Sequence, residues 1–170
     1  MLPKLVITDI DGVWTDGGMF YDRMGNELKK FHTYDSAGVN FLKLLKIPVC
    51  IITGEDTEIV TARAKKLNID FIYMGIQNKL SVASELLTKL NLKFSEIAFV
   101  GDDINDIPLM QRAGISAAPE SAPAYVKKYA QIVIPCKGGD GAFRLFVEYI
   151  LQQNNLLDSC ITKLIEQYSK

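Results

Sequence analysis

The sequence predicts a three-layer α/β fold in which helices cover both faces of a mostly parallel β-sheet. Short apolar runs rich in β-branched residues, which are typical of buried strands, alternate with segments of helical hydrophobic period. Polar residues follow several of these runs directly, and open parallel sheets bind ligands at the carboxyl ends of their strands. The predicted strands are 4–10, 48–53, 71–74, 97–100, 114–117 and 131–134.

Three segments have an amphipathic helical pattern. Residues 57–67 and 79–90 each place their aliphatic residues on one face at helical spacing. Residues 155–170 show a weaker pattern, and the sequence leaves open whether this C-terminal helical tail packs on the domain, reaches a neighbour or stays loose. Because the 170 residues contain no repeat or linker, we expect one domain over residues 1–154, followed by the tail.

One segment interrupts the alternation of strands and helices. Residues 18–21 and 27–33 look like two short strands, and the turn-rich stretch 22–26 connects them. The simplest interpretation is a β-hairpin over about residues 18–33. It directly follows two closely spaced aspartates, so we expect it to stand over or beside any site that they form.

Composition and charge narrow the function classes. The net charge of −1 argues against a general nucleic-acid or membrane surface. No apolar run approaches the roughly 20 residues that span a bilayer, and the amino terminus lacks the pattern of a signal peptide. Cys50, Cys136 and Cys160 have no metal-ligand spacing and are typical of reduced thiols. We therefore expect a cytoplasmic protein without nucleic-acid or membrane partners.

Two aspartates end the first predicted strand. Asp9 and Asp11 are two residues apart, so on an extended chain their side chains point to the same side. Buried like charges this close are costly unless a cation or a proton neutralises them. The pair therefore indicates a metal site at the carboxyl end of this strand.

Three further polar clusters follow later strands. After the second strand, the Thr53 hydroxyl and the Gly54 amide can both donate to a phosphate oxygen. Lys79 opens a helix after the third strand, where its charge can neutralise phosphate. After the fourth, Asp102, Asp103 and Asp106 add the hard oxygen ligands that Mg²⁺ prefers. Each cluster alone also fits a turn or a helix cap, but caps alone do not account for all four in this order.

The four clusters together resemble the motif set of the haloacid dehalogenase superfamily of phosphohydrolases, which implies a Rossmann-like sheet. Three longer stretches are similar to the small branch that contains 3-deoxy-octulosonate 8-phosphate phosphatase and the phosphatases of nine-carbon 2-keto-3-deoxy sugar acids. These stretches are Asp11-Gly-Val-Trp-Thr-Asp-Gly17, Ile51-Ile-Thr-Gly54 and Gly138-Gly-Asp-Gly-Ala142.

The resemblance implies a role for each motif residue. Asp9 is the nucleophile that becomes an aspartyl phosphate, and Asp11 is the general acid and base. The Asp9 carboxylate, the Asp11 carbonyl and Asp102 hold Mg²⁺, while Asp103 and Asp106 position these ligands. The implied phosphate-binding residues are Thr53, Gly54 and Lys79.

The resemblance also predicts how the site is covered. Many members of the superfamily carry an inserted cap domain, but between Asp11 and Thr53 there is room only for the hairpin and one helix. The similar phosphatases are tetramers in which hairpins pack together and cover adjacent sites. We therefore expect a homotetramer without a cap domain, in which a neighbour's hairpin acts as a lid.

The substrate is the least defined part of the sequence-based prediction. Eight-carbon-specific relatives usually carry Arg where this chain has Glu55, and a carboxylate there would repel a substrate carboxylate but accept hydrogen bonds from sugar hydroxyls. Arg63 and Lys66 share a helix face that offers an anion site, although a solvated basic face is an equal alternative. His32 and Thr33 are further candidates for substrate contact. We expect 2-keto-3-deoxynononic acid 9-phosphate, with N-acetylneuraminate 9-phosphate and 3-deoxy-D-manno-octulosonate 8-phosphate as alternatives.

A receiver-type signalling domain is an alternative from another class. It also carries acids, a Thr and a Lys on a parallel sheet, but it places its phosphorylated Asp after the third strand. Here that strand ends at Gly75 without an acid, which disfavours this alternative.

Overall fold

A six-stranded parallel sheet forms the centre of the computed structural model, which describes residues 1–169. The strands are β1 (Leu5–Thr8), β2 (Phe20–Tyr21), β3 (Glu27–Leu28), β4 (Val49–Ile52), β5 (Phe71–Tyr73), β6 (Ile97–Val100), β7 (Ile115–Pro119) and β8 (Ile132–Ile134). In sheet order they are β5-β4-β1-β6-β7-β8, and β2 pairs separately with β3 in an antiparallel ribbon. All six predicted strands of the main sheet are present.

Helices cover both faces of this sheet, which confirms the three-layer prediction. The helices are α1 (Asp35–Leu44), α2 (Glu58–Lys66), α3 (Lys79–Leu90), α4 (Ile107–Met110), α5 (Ala124–Lys127), α6 (Ala142–Gln153) and α7 (Leu157–Tyr168). Side chains of each strand alternate between the faces, so Val6 enters one apolar cluster while Leu5 and Ile7 enter the other. The first cluster is completed by α1, α2, α6 and α7, and the second by α3, α4 and α5.

Capping residues set the ends of the two helices with the clearest sequence pattern. The Thr57 side chain accepts a hydrogen bond from the Val60 amide at the start of α2. The Asn78 side chain accepts one from the Ser81 amide at the start of α3, which ends at Asn91 in a left-handed conformation. The predicted bounds therefore agree with the structure to within the capping residues.

A buried carboxylate joins α1 to α6. Asp35 opens α1, is fully buried, and accepts a hydrogen bond of 3.0 Å from the Arg144 amide in the first turn of α6. Burial raises the pKa of Asp35 to about 6, although hydrogen bonds from the Arg144 and Phe143 amides lower it. The segment that follows the hairpin is thereby fixed to the helix that follows β8.

The tail packs on its own chain. Helix α7 lies against α1 and α6, where Cys160 is buried in the first apolar cluster. Near its end, the Asn40 amide donates to the Tyr168 hydroxyl over 3.1 Å. Lys170, the last residue of the predicted tail helix, lies outside the described residues. The cysteines are free thiols, as expected.

The hairpin is present but shorter than predicted. Its strands pair only Phe20 with Leu28 and Tyr21 with Glu27, so the second strand ends at Leu28 and not at residue 33. A two-stranded ribbon without a buried face is marginal in water, and each strand here has a single partner. Beyond Leu28 the chain returns to the domain, where Phe31 packs against the first apolar cluster.

No helix within residues 1–169 is long and apolar enough to span a membrane.

Candidate active site

Three adjacent strands bring the predicted site together. Asp9 follows β1, Thr53 follows β4 and Asp102 follows β6, and β1 lies between the other two strands in the sheet. Their loops meet at one edge around a pocket of about 310 Å³. The pocket is lined by Asp9, Asp11, Gly12, Gly17, Met19, Thr53, Gly54, Glu55, Asp102, Asp103 and Asn105.

An acidic cluster lies at the base of this pocket. Asp9, Asp102 and Asp106 each offer a carboxylate oxygen, and these oxygens lie within 4.8 Å of one another. Burial and the Asp106 charge raise the pKa of Asp9 to about 7, although Lys79 lowers it. Burial and the neighbouring aspartates raise the pKa of Asp102 to about 8. The cluster thus carries more negative charge than its own side chains neutralise.

The donor set fits a hard divalent cation. Asp9 Oδ1 is buried and receives no hydrogen bond of good geometry, although the Lys79 Nζ lies 3.0 Å away. Asp102 faces the same pocket, and both residues offer the oxygen ligands that Mg²⁺ prefers. A cation bound there would offset the repulsion that raises both pKa values.

A buried ion pair supports the cluster from behind. Lys79 Nζ lies 2.6 Å from Asp106 Oδ1, and neither side chain is exposed. Burial lowers the pKa of Lys79, but the charges of Asp9 and Asp106 raise it more, so the net shift is upward. The second Asp106 oxygen accepts hydrogen bonds of 2.8 and 3.0 Å from the Asp102 and Asp103 amides. Lys79 itself does not line the pocket but lies behind Asp9.

Two glycines let the loops approach one another. Gly12 has φ +79°, and a Cβ on it would lie 1.8 Å from Asp102 Oδ2. A Cβ on Gly138 would lie 1.8 Å from the Gly12 carbonyl oxygen. The loop after β8 therefore presses on the Asp9–Gly12 loop, and neither position has room for a side chain.

The Asp11 carboxylate is held at both oxygens. Thr15 Oγ1 donates to Oδ1 over 3.0 Å, and Lys29 Nζ donates to Oδ2 over 2.5 Å. Thr15 comes from the same loop, whereas Lys29 follows β3 of the hairpin. Asp11 thus lines the pocket in a defined orientation.

Thr53, Gly54 and Glu55, the phosphate-binding and specificity candidates after β4, all line the pocket. Thr53 is buried, and its amide donates to the Tyr73 carbonyl of the adjacent strand over 3.0 Å. Gly54 and Glu55 follow at the rim, and Glu55 is exposed towards the pocket. The turn therefore presents a hydroxyl, a glycine amide and a carboxylate to one ligand position.

Four specificity candidates lie away from the pocket of their own chain. A guanidinium nitrogen of Arg63 donates to the His32 carbonyl over 3.2 Å and the group lies 5.7 Å from the Phe31 ring centroid. The His32 ring accepts from the Tyr34 amide over 3.2 Å. Neither Lys66 nor Thr33 lines the pocket. Substrate contact by His32, Thr33, Arg63 and Lys66 stays a prediction that requires a neighbouring chain.

Three residues that were not predicted from the sequence lie at the candidate site in the structure. Asn105 lines the pocket from within the Gly101–Asp106 motif, where its polar side chain between acids was an available signal. Met19 lines it from the start of the hairpin. Lys29 contacts Asp11 from a position 18 residues away, and no local pattern indicates that contact.

A Rossmann-like sheet with an acidic, cation-binding pocket at its carboxyl edge and a buried lysine behind it defines a metal-dependent phosphoryl-transfer enzyme. A family model described as haloacid dehalogenase-like hydrolase matches residues 52–146. The chain belongs to this family.

Within this family, the chain is similar to curated proteins that share one name. The chain is 37% identical to 3-deoxy-D-manno-octulosonate 8-phosphate phosphatase of Haemophilus influenzae over 149 residues, which are 88% of this chain and 83% of the relative. The same enzyme of Escherichia coli K12 is 37% identical over 155 residues, covering 91% and 82%.

Two solved structures have nearly the same fold as this chain. A probable YrbI-family phosphatase from Pseudomonas syringae has a TM-score of 0.93 at 35% identity, with 96% and 93% of the two chains covered. The octulosonate 8-phosphate phosphatase of Moraxella catarrhalis, solved with magnesium, phosphate and KDO, has a TM-score of 0.92 at 33% identity and coverage of 95% and 93%.

Proposed function

We propose that this protein is a Mg²⁺-dependent phosphatase that hydrolyses the phosphomonoester of a 2-keto-3-deoxy sugar acid. The observation that carries the proposal is the pocket in which Asp9, Asp11 and Asp102 face one another, with Lys79 buried behind them. The similar curated proteins are phosphatases of 3-deoxy-D-manno-octulosonate 8-phosphate, and a similar structure was solved with magnesium and phosphate.

Octulosonate 8-phosphate is the first candidate substrate. The curated relatives and the Moraxella catarrhalis structure described above carry its name, whereas none of these proteins is named for a nine-carbon acid. The nine-carbon expectation therefore has no support from these relatives. It stays the second candidate because of Glu55, whose carboxylate at the pocket rim suits sugar hydroxyls better than a substrate carboxylate.

The proposed reaction has two steps. An Asp9 oxygen attacks phosphorus, the bond from phosphorus to the sugar oxygen breaks, and Asp11 gives its proton to the leaving oxygen. Asp11 then takes a proton from a water molecule that attacks the aspartyl phosphate. The bond from phosphorus to the Asp9 oxygen breaks, which releases phosphate and restores the carboxylate.

Other residues hold the transferring group. The Thr53 hydroxyl and the Gly54 amide donate to the equatorial oxygens, and the Lys79 charge stabilises the negative charge that they carry. The Asp9 carboxylate, the Asp11 carbonyl and Asp102 would hold Mg²⁺, which supplies positive charge against the phosphate and the carboxylates.

The assignment of Asp9 is tested by Asp9→Asn, which we expect to abolish Mg²⁺-dependent phosphate release while the circular dichroism spectrum stays unchanged. Asp158→Asn, at an exposed position of α7, is a control and should keep parental activity. Turnover of Asp9→Asn above about one hundredth of the parent would refute the nucleophile assignment.

The substrate is tested with a phosphate-release panel of eight- and nine-carbon keto-deoxy sugar acid phosphates. The first candidate predicts a higher kcat/KM for the octulosonate 8-phosphate. If Glu55 selects the sugar, Glu55→Arg should change the ratio of the two kcat/KM values. An unchanged ratio would show that Glu55 does not select the substrate.

The proposed enzyme functions as a homotetramer. Phe20, Tyr21 and Leu28 on the hairpin are each more than 60% exposed, an arrangement that suits burial against a second copy. A neighbour's hairpin above the pocket would exclude water and bring His32, Thr33 or Arg63 near the substrate.

A further inference from the structure

We propose that Lys29 is a positioning residue that fixes the Asp11 carboxylate for proton transfer and thereby couples the hairpin to the reaction. The proposal rests on the function proposed above, in which Asp11 protonates the leaving sugar oxygen. It assigns Lys29 a role through Asp11 and no contact with substrate.

The Lys29 side chain is unusual for a hairpin lysine. It is fully shielded from solvent, and its Nζ lies 2.5 Å from Asp11 Oδ2 and 3.3 Å from Glu27 Oε1. Its neighbour Lys30 shows the ordinary arrangement, with a side chain that is 60% exposed and 3.4 Å from Asp16. Ordering a long lysine side chain costs rotamer entropy, so the contact of Lys29 must be favourable enough to offset that cost.

The contact completes the fixation of Asp11. Thr15 already holds Oδ1 from the same loop, and fully buried Thr15 also accepts from the Gly17 amide over 3.2 Å. Lys29 donates to Oδ2, the oxygen that the Thr15 hydrogen bond does not hold. With both oxygens bound, the carboxyl group keeps one orientation towards the pocket.

The hairpin sets the position of Lys29. Its second partner, Glu27, belongs to β3 and pairs with Tyr21 of β2, so the ribbon fixes the residue that carries the ammonium group. A proton donor must be within hydrogen-bond distance of the leaving oxygen in the transition state, and small displacements of such groups cost large factors in rate. Loss of Lys29 should therefore slow protonation of the leaving oxygen and spare phosphoryl transfer from a leaving group that needs no proton. Hydrolysis of the aspartyl phosphate, in which Asp11 acts as the base, follows release of the leaving group and does not enter kcat/KM.

Two substrates distinguish phosphoryl transfer that needs a protonated leaving group from phosphoryl transfer that does not. A sugar acid phosphate has a poor leaving group that needs protonation, whereas p-nitrophenyl phosphate has a good leaving group that does not. For Lys29→Met at saturating Mg²⁺, we expect kcat/KM to fall about 10- to 100-fold with the sugar acid phosphate and less than about 3-fold with p-nitrophenyl phosphate. Lys29→Arg, which keeps the charge and a donor, should recover most of the lost kcat/KM.

Lys30→Met is the matched control, and its kcat/KM for both substrates should stay at the parental level. Equal losses for the two substrates, or no loss with either, would overturn the proposal. Should Lys29→Met fail to fold, Lys29→Gln is measured with the same substrates and is judged by the same outcomes. The parent enzyme tests the proposed function separately, because failure to hydrolyse any sugar acid phosphate would refute that function whatever the variants do.

Discussion

Asp106→Asn probes the buried network that supports the acidic cluster. Asp106 is fully buried, and its two oxygens have separate partners: Lys79 at 2.6 Å, and the Asp102 and Asp103 amides at 2.8 and 3.0 Å. Asparagine has the same shape but a single acceptor oxygen. Its NH₂ group must therefore face either the Lys79 ammonium group or the two backbone N–H groups, and both arrangements oppose donor to donor.

The expected loss in free energy of unfolding follows from the groups that Asp106→Asn leaves without a partner. Removing one partner of a buried ion pair costs about 3–5 kcal/mol. Lys79 keeps Asp9 at 3.0 Å, and loss of the Asp106 charge relieves repulsion on Asp9 and Asp102, so the low end of this range applies. We expect a loss of about 3 kcal/mol, or about 1.5 M in the urea midpoint at a typical m-value of about 2 kcal/mol/M.

Urea unfolding at pH 7 measures this loss, with fluorescence of Trp14, the single tryptophan, as the probe. Asp103→Asn is the control from the same loop, because Asp103 is exposed and its carboxylate accepts hydrogen bonds from backbone amides at the start of a short helical turn, among them the Ile104 amide. It should lose about 1 kcal/mol or less. A midpoint of Asp106→Asn within about 0.3 M of the parent would refute the reasoning, since the buried pair would then contribute little.

Three further predictions concern other parts of the fold. Burial raises the pKa of Asp35 from 3.8 to about 6, so its stabilisation is complete below the lower value and is lost as the pH rises through 6. In urea titrations, the parent should therefore lose about 1 kcal/mol more than Asp35→Asn between pH 5 and 7; equal losses would contradict this. The double substitution Phe20→Asp and Tyr21→Asp should convert the proposed tetramer to monomers in light scattering while the far-ultraviolet circular dichroism spectrum is retained. Trp14→Phe should lower stability by about 1–3 kcal/mol in urea titrations followed by circular dichroism, because it removes a buried hydrogen bond of 2.9 Å to Thr8 and part of the ring contact with the core.

The sheet and the helices α2 and α3 were predictable because their signals are local. Buried parallel strands such as β4, Val49–Ile52, consist of continuous apolar residues, and the capping residues Thr57 and Asn78 are adjacent to the helices that they begin. The length of the hairpin was wrong because it depends on a distant contact. Lys29 leaves the ribbon to reach Asp11, and no pattern within the hairpin encodes that partner.

The residues of the candidate site also fall into two groups: those whose position follows from the sheet, and those whose position depends on distant contacts. Asp9, Thr53 and Asp102 follow directly on strands, so sheet topology alone brings them together. Arg63 is different, because the direction of a long side chain depends on what lies beside it. Here the Phe31 ring and the His32 carbonyl hold it at the base of the hairpin.

The close contact of Gly138 with Gly12 has a consequence for sequence divergence. Gly138 does not line the pocket but lies against the backbone of the Asp9–Gly12 loop, and its turn leads into α6, whose first turn Asp35 caps from the other side. Substitutions at Gly138 would therefore displace the loop that carries the proposed nucleophile without removing a side chain that lines the pocket. This turn therefore tolerates few substitutions. We expect distant relatives that keep an intact site to keep its glycines, even where the residues proposed to select the substrate differ.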